Sequence, residues 1–189
     1  MDMQGQRVLH VTQAQAWDAL NDPEILKACI TGCDTFELTQ AHEYKVGVAI
    51  KIGPVSAKFT GKVTLSDIQA PDSYTLNFEA QGGVAGFGKG QSHVSLRPHA
   101  EGCELLYSVH STVGGKLAQL GQRLIDGAAK SLAEDFFKRF EASLQAQYPP
   151  STVIDGSPQE NPKPSSFAVP RWLWLAVLLG GVAAWSFVR

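Results

Sequence analysis

Seventeen consecutive residues, Trp172 to Val188, contain one polar side chain, Ser186. As a helix rising about 1.5 Å per residue this segment extends about 25 Å, close to the ~30 Å hydrocarbon core of a bilayer. A helix packed on a globular domain keeps a polar face for solvent, and this segment has none. Trp172, Trp174 and Trp185 stand towards its ends, where amphipathic rings favour the headgroup layer, and Arg171 and Arg189 flank it. Residues 171–189 are therefore expected to form a C-terminal transmembrane helix that anchors the chain by its tail. Six of the ten prolines lie between Tyr148 and Arg171, interspersed with Ser, Asn161 and Gly156. Such a stretch cannot bury a core, so residues 149–170 are expected to be a flexible linker. That leaves residues 1–148 as the folded domain.

The opening MDMQGQRVLHV lacks the basic start and long apolar core of a secretory signal. The expected placement is thus the cytoplasmic membrane, with the N-terminal domain in the cytoplasm. A formal net charge of −2 argues against a nucleic-acid partner, because phosphate binding needs a basic face. Three cysteines, Cys29, Cys33 and Cys103, cannot all pair, and they outline no disulfide framework.

Within residues 1–148 the dominant pattern has period two. Tyr44, Val46, Val48, Ile50 and Ile52 alternate with Lys45, Gly47, Ala49 and Lys51, and Gly53-Pro54 then turns the chain. Val55, Ala57, Phe59, Gly61, Val63 and Leu65 alternate with hydroxyl and lysine residues, and Tyr74, Leu76, Phe78 and Ala80 follow the turn at Ala70–Ser73. Val94 and Leu96, then Leu105, Tyr107, Val109 and Val113, continue the series. Short connections between alternating strands predict hairpins and an antiparallel sheet. Near the start, Met3–Val11 suits a strand, Thr12 caps a short helix over Ala14–Leu20, and Asp22-Pro23 opens another over Glu24–Ile30. Lys116–Gln147 has no proline and carries Leu117, Leu120, Leu124, Ala128, Leu132, Phe136, Phe140 and Leu144 at spacings of three and four, which predicts one long amphipathic helix. The expected class is α+β, a curved antiparallel sheet wrapped around that helix.

The segments Trp17–Glu24, Cys29–Cys33, Lys51–Val55 and Val113–Gly121 resemble the carbon monoxide dehydrogenase G-subunit family, and the order of elements is similar to the helix-grip fold of START and polyketide-cyclase-like proteins. Thr31 departs from the proline expected before Gly32. The resemblance covers roughly residues 1–147. It implies a non-enzymatic accessory of a molybdenum-containing dehydrogenase, tethered to the membrane and carrying a respiratory quinone or other apolar lipid in its cavity. A tether without cargo and a cyclase-like enzyme are the alternatives it leaves open.

The chemistry-bearing motifs point to no catalytic residue and no metal site. Gly82–Gly90 contains Gly86-x-Gly88, but a dinucleotide fingerprint needs a helix after the glycines, and both flanks here read as strands. That loop is expected to be a hairpin or a mobile gate with Phe87 as its apolar tip. Cys29 and Cys33, four apart, would share a helix face, too few ligands for a closed zinc site. Gly121, Gly127, Ala128 and Ala129 trim the long helix, either for close packing or to leave a cavity. The strand faces give Val48, Ile50, Phe59, Leu76, Phe78 and Val109 as ligand-binding residues pointing at the helix, with Leu124 and Ala128 facing them and Phe87 near the entrance.

Overall fold

The computed structural model describes residues 1–149; the expected anchor and all but the first residue of the expected linker lie outside them. Seven strands form one sheet: β1 (Asp2–Leu9), β2 (Cys33–Gln40), β3 (Glu43–Ile52), β4 (Val55–Gln69), β5 (Ser73–Gln81), β6 (Phe87–His99) and β7 (Gly102–Gly114). Helices α1 (Gln13–Leu20) and α2 (Pro23–Cys29) follow β1, and α3 (Gln122–Gln147) closes the domain. Strand order is β1-β7-β6-β5-β4-β3-β2, with every neighbouring pair antiparallel. β1 and β2 are consecutive strands at opposite edges, so α1 and α2 carry the chain from one edge to the other. Among the described residues no helix is long and apolar enough to cross a membrane.

Local signals explain the short helices. Thr12 and Gln15 form a reciprocal capping box at α1, and the Asp22 carboxylate accepts from the amides of Glu24 and Ile25 at α2, with Pro23 in its first turn. The long helix starts later than its composition predicts. The apolar pattern from Lys116 reads as continuous helix, yet β7 runs to Gly114, Ala118–Leu120 forms a single 3₁₀ turn, and Gly121 stands at φ 86° before α3 begins at Gln122. That left-handed conformation is open to glycine and ends any helix entering it.

The register puts the expected apolar faces together. Val48 pairs with Phe59, Val63 with Phe78, Leu65 with Leu76, and Ser92 with Val109, which places all of them on the face turned towards α3. The larger core cluster joins Phe137, Phe140 and Leu144 of α3 to α1, α2 and the far halves of β6 and β7; a smaller one joins Phe59, Ala85 and Leu117. At the β1 edge, Arg7 pairs with Glu134 and lies over the Phe137 ring, 5.4 Å from its centroid.

Phe140 is fully buried and stacks on Phe136 at 5.6 Å. Phe140→Ala is expected to cost about 3–5 kcal/mol, the range for removing a buried aromatic ring, and to lower the melting temperature by on the order of 10 °C. A thermal melt of the purified chain checks this, and a loss near zero would mean that α3 is not held at this ring.

Candidate functional site

Two cavities lie end to end between the sheet and α3. The outer one has a volume of about 360 Å³, and its walls include Val48, Ile50, Ile52, Phe59, Ala80, Val113, Leu117, Ile125, Ala129 and Leu132. The inner one, also about 360 Å³, reaches towards α1 and α2 and is walled by Leu20, Leu26, Ile30, Phe36, Leu76, Val94, Leu105, Ala133, Phe136 and Phe137. Val46, Val63, Phe78 and Val109 border both, a row across the sheet where the two meet. Each is within the usual size range of a small-molecule pocket, and both are overwhelmingly apolar. Somewhat larger hollows of about 470 to 560 Å³ lie over polar strand residues such as Thr64, Asn77, Gln91 and Thr112, or Gln4, His93 and Ser108. Their walls mix polar and apolar surface and are more open to solvent, so the two apolar cavities are the stronger candidates.

Small residues hold the outer cavity open. Ala80, Gly88 and Ala129 stand in its wall where larger side chains would fill it, whereas Gly61 permits close strand packing, since a Cβ there would collide with the Glu79 carbonyl oxygen. At Gly88 an added Cβ would meet nothing within 4 Å, so this glycine leaves real space.

Four hydroxyl-bearing residues stand in the wall of the inner cavity, Tyr44, Tyr74, Tyr107 and Ser92, and the Tyr107 hydroxyl lies over Gly5 of β1. Burial pushes the Tyr74 hydroxyl well above the usual tyrosine range, with the neighbouring Tyr44 adding to the effect, and burial also raises Tyr44. Both therefore stay protonated and able to donate at any physiological pH. The Trp17 ring meets Tyr74 edge-on at 5.6 Å, and Phe36 packs on Tyr44 at 5.2 Å.

The structure distributes the sequence-predicted residues as follows. Val48, Ile50 and Phe59 line the outer cavity, Leu76 the inner one, and Phe78 and Val109 both. Leu124 and Ala128 line neither. Leu124 is 44% exposed, and the inward positions of α3 are Ile125 and Ala129, one residue further on. Gly127 has open space around it and trims nothing. Phe87 is not a loop tip: it opens β6, pairs with Gln81 and Gly114, and lays its ring over Gly114. The tip is Val84, 85% exposed in the 3₁₀ turn Gly83–Ala85. Gly86, at φ 116°, packs against the Gly114 carbonyl so closely that no side chain would fit there. Strand β6 rather than a helix follows the glycines, so no helix N-terminus is offered to a phosphate.

Cys29 and Cys33 do not share a helix face, because α2 ends at Cys29 and β2 begins at Cys33. Burial raises both thiols and Cys103. No group of three or more His, Cys, Asp or Glu that could hold a metal occurs among the described residues. The inner wall contributed by Tyr44, Val46, Val63 and Tyr74 follows from the same alternation that marks Val48 and Phe59. The position of Ser92 does not, because a serine in a strand carries no facing signal of its own.

Comparison with known proteins bears on this architecture. The family model for the carbon monoxide dehydrogenase G subunit, CoxG, matches residues 5–145. Among solved structures, a conserved protein from Geobacillus kaustophilus is 34% identical, with a TM-score of 0.74 over 78% of this chain and 97% of that one. An uncharacterized protein from Rhizobium leguminosarum superposes with a TM-score of 0.61 at 14% identity, over 77% of this chain and 95% of its own. A protein from Thermus thermophilus, TTHA0849, does so with a TM-score of 0.61 at 12% identity, over 78% and 99%. At such identities the last two show the fold alone. No curated protein matches the chain.

Proposed function

The chain belongs to the carbon monoxide dehydrogenase G-subunit family, CoxG, and from that premise we propose that it is a membrane-tethered, non-enzymatic accessory of a carbon monoxide dehydrogenase-type molybdenum hydroxylase. In this reading it binds an apolar ligand, a respiratory quinone, between sheet and helix and links the enzyme to the cytoplasmic membrane. The observation that carries the cargo is the pair of apolar cavities, the outer one lined by Ala80, Gly88 and Ala129 where a filled core would place larger side chains. Burial of apolar surface at about 25 cal/mol per Å² makes such walls bind a prenyl chain without any polar contact. The apolar run Trp172–Val188 supplies the tether, and residues 149–170 give the domain reach.

The test is an organic extract of the full chain purified from membranes in detergent. The expected result is a co-purifying prenyl quinone in near-stoichiometric amount. A clean extract, together with no uptake of added quinone, would remove the carrier and leave the tether alone.

A further inference from the structure

The two cavities differ in one respect. The outer one has one hydroxyl residue, Ser111, and is bordered by the charged residues Lys62 and Glu79, whereas the inner one collects Tyr44, Tyr74, Tyr107 and Ser92 and no charged residue. Tyr44, Tyr74 and Ser92 are 7%, 4% and 9% exposed, so these side chains are held in the cavity wall and away from bulk solvent. Nearly all buried polar groups in folded proteins are paired, and leaving one unpaired costs free energy. Three largely buried hydroxyl side chains around one apolar space offer donors and acceptors to a polar group that enters it. The same wall contains no lysine, arginine, histidine or carboxylate. An anion buried there would meet hydroxyl donors but no opposite charge, and its desolvation would be only partly offset.

We propose that the inner cavity takes the head of the ligand, and that Tyr44, Tyr74 and Ser92 select an uncharged headgroup bearing carbonyl or hydroxyl oxygens. The tyrosine hydroxyls donate to those oxygens, Ser92 donates or accepts, and the apolar tail runs over Val46, Val63, Phe78 and Val109 into the outer cavity. This rests on the cargo reading above and adds to it both the orientation of the ligand and the exclusion of anionic lipids such as fatty acids.

The test is equilibrium binding of three probes to the full chain in detergent: a short-chain naphthoquinone, the saturated hydrocarbon phytane, and palmitate. Tyr74→Phe and the double variant Tyr44→Phe/Tyr74→Phe remove hydroxyls alone and preserve the rings. The expected result is naphthoquinone binding weakened about threefold to tenfold by Tyr74→Phe, and further by the double change, with phytane binding unaltered. Palmitate is expected to bind the unaltered chain at least about tenfold more weakly than the quinone. Equal weakening of naphthoquinone and phytane would make the tyrosines structural and overturn the proposal, as would no change in either or parity between palmitate and quinone. Failure of the unaltered chain to bind the naphthoquinone would instead overturn the cargo reading itself.

Discussion

Ala129→Trp is expected to abolish retention of an apolar ligand while shifting the melting temperature by only a few degrees. Ala129 lines the outer cavity from α3, opposite the sheet, and an indole placed there enters open space rather than packed atoms. The contrast is Ala16→Trp in α1. Ala16 is fully buried in the larger core cluster and borders neither cavity, so the same gain in bulk must displace neighbours. Overpacking of that kind costs about 1–3 kcal/mol for a few extra methylenes, and an indole exceeds that range. Co-purifying quinone and a thermal melt, measured on both variants, separate the two cases. A steep loss of stability at Ala129 equal to that at Ala16 would mean that the outer cavity closes in solution, and the carrier would go with it.

Ending the chain at Tyr148 is expected to uncouple the partner enzyme from respiration. The described residues contain their own core, capped helices and complete sheet, so the truncated form is expected to fold and to melt near the full chain. What it loses is the Pro-rich stretch and the apolar run Trp172–Val188. A dehydrogenase in cells carrying the truncation is expected to reduce a soluble dye at its normal rate, while oxygen uptake driven by its substrate falls to background. Full respiration with the truncated chain would contradict tether and carrier together.

Alternation carries most of the sheet. Period-two runs from Tyr44 to Leu65 mark which residues share a face, and the register confirms it pair by pair, Val48 on Phe59 and Val63 on Phe78. β2 is hidden because it is an edge strand: in Cys33–Gln40 only Phe36 is buried, and two irregularities in its pairing break the period. Edge strands need only one apolar contact per turn of the pattern, so their signal is weak. The start of the long helix is masked because Leu117 and Leu120 continue the apolar spacing, although they serve a 3₁₀ turn and the smaller core cluster. The inward face of α3 is displaced by one position for a related reason. Leu124 and Ile125 are both apolar, as are Ala128 and Ala129, and a wide stripe does not announce its own centre. Only contact with the sheet decides it, by turning Ile125 inward and leaving Leu124 largely in solvent. The hydroxyls of the inner cavity are invisible as a group in the sequence, because they come from β3, β5, β6 and β7 and meet only through the sheet's curvature.

The row of Val46, Val63, Phe78 and Val109 gives the two chambers a shared floor. Its three valines are confined by their branched Cβ to few rotamers, so that floor is stiff where the chambers meet. In the carrier reading proposed above, a ligand longer than one chamber lies across these four side chains whichever end it leads with. Exchanging them would therefore change how one ligand is shared between two chambers without altering the walls at either end.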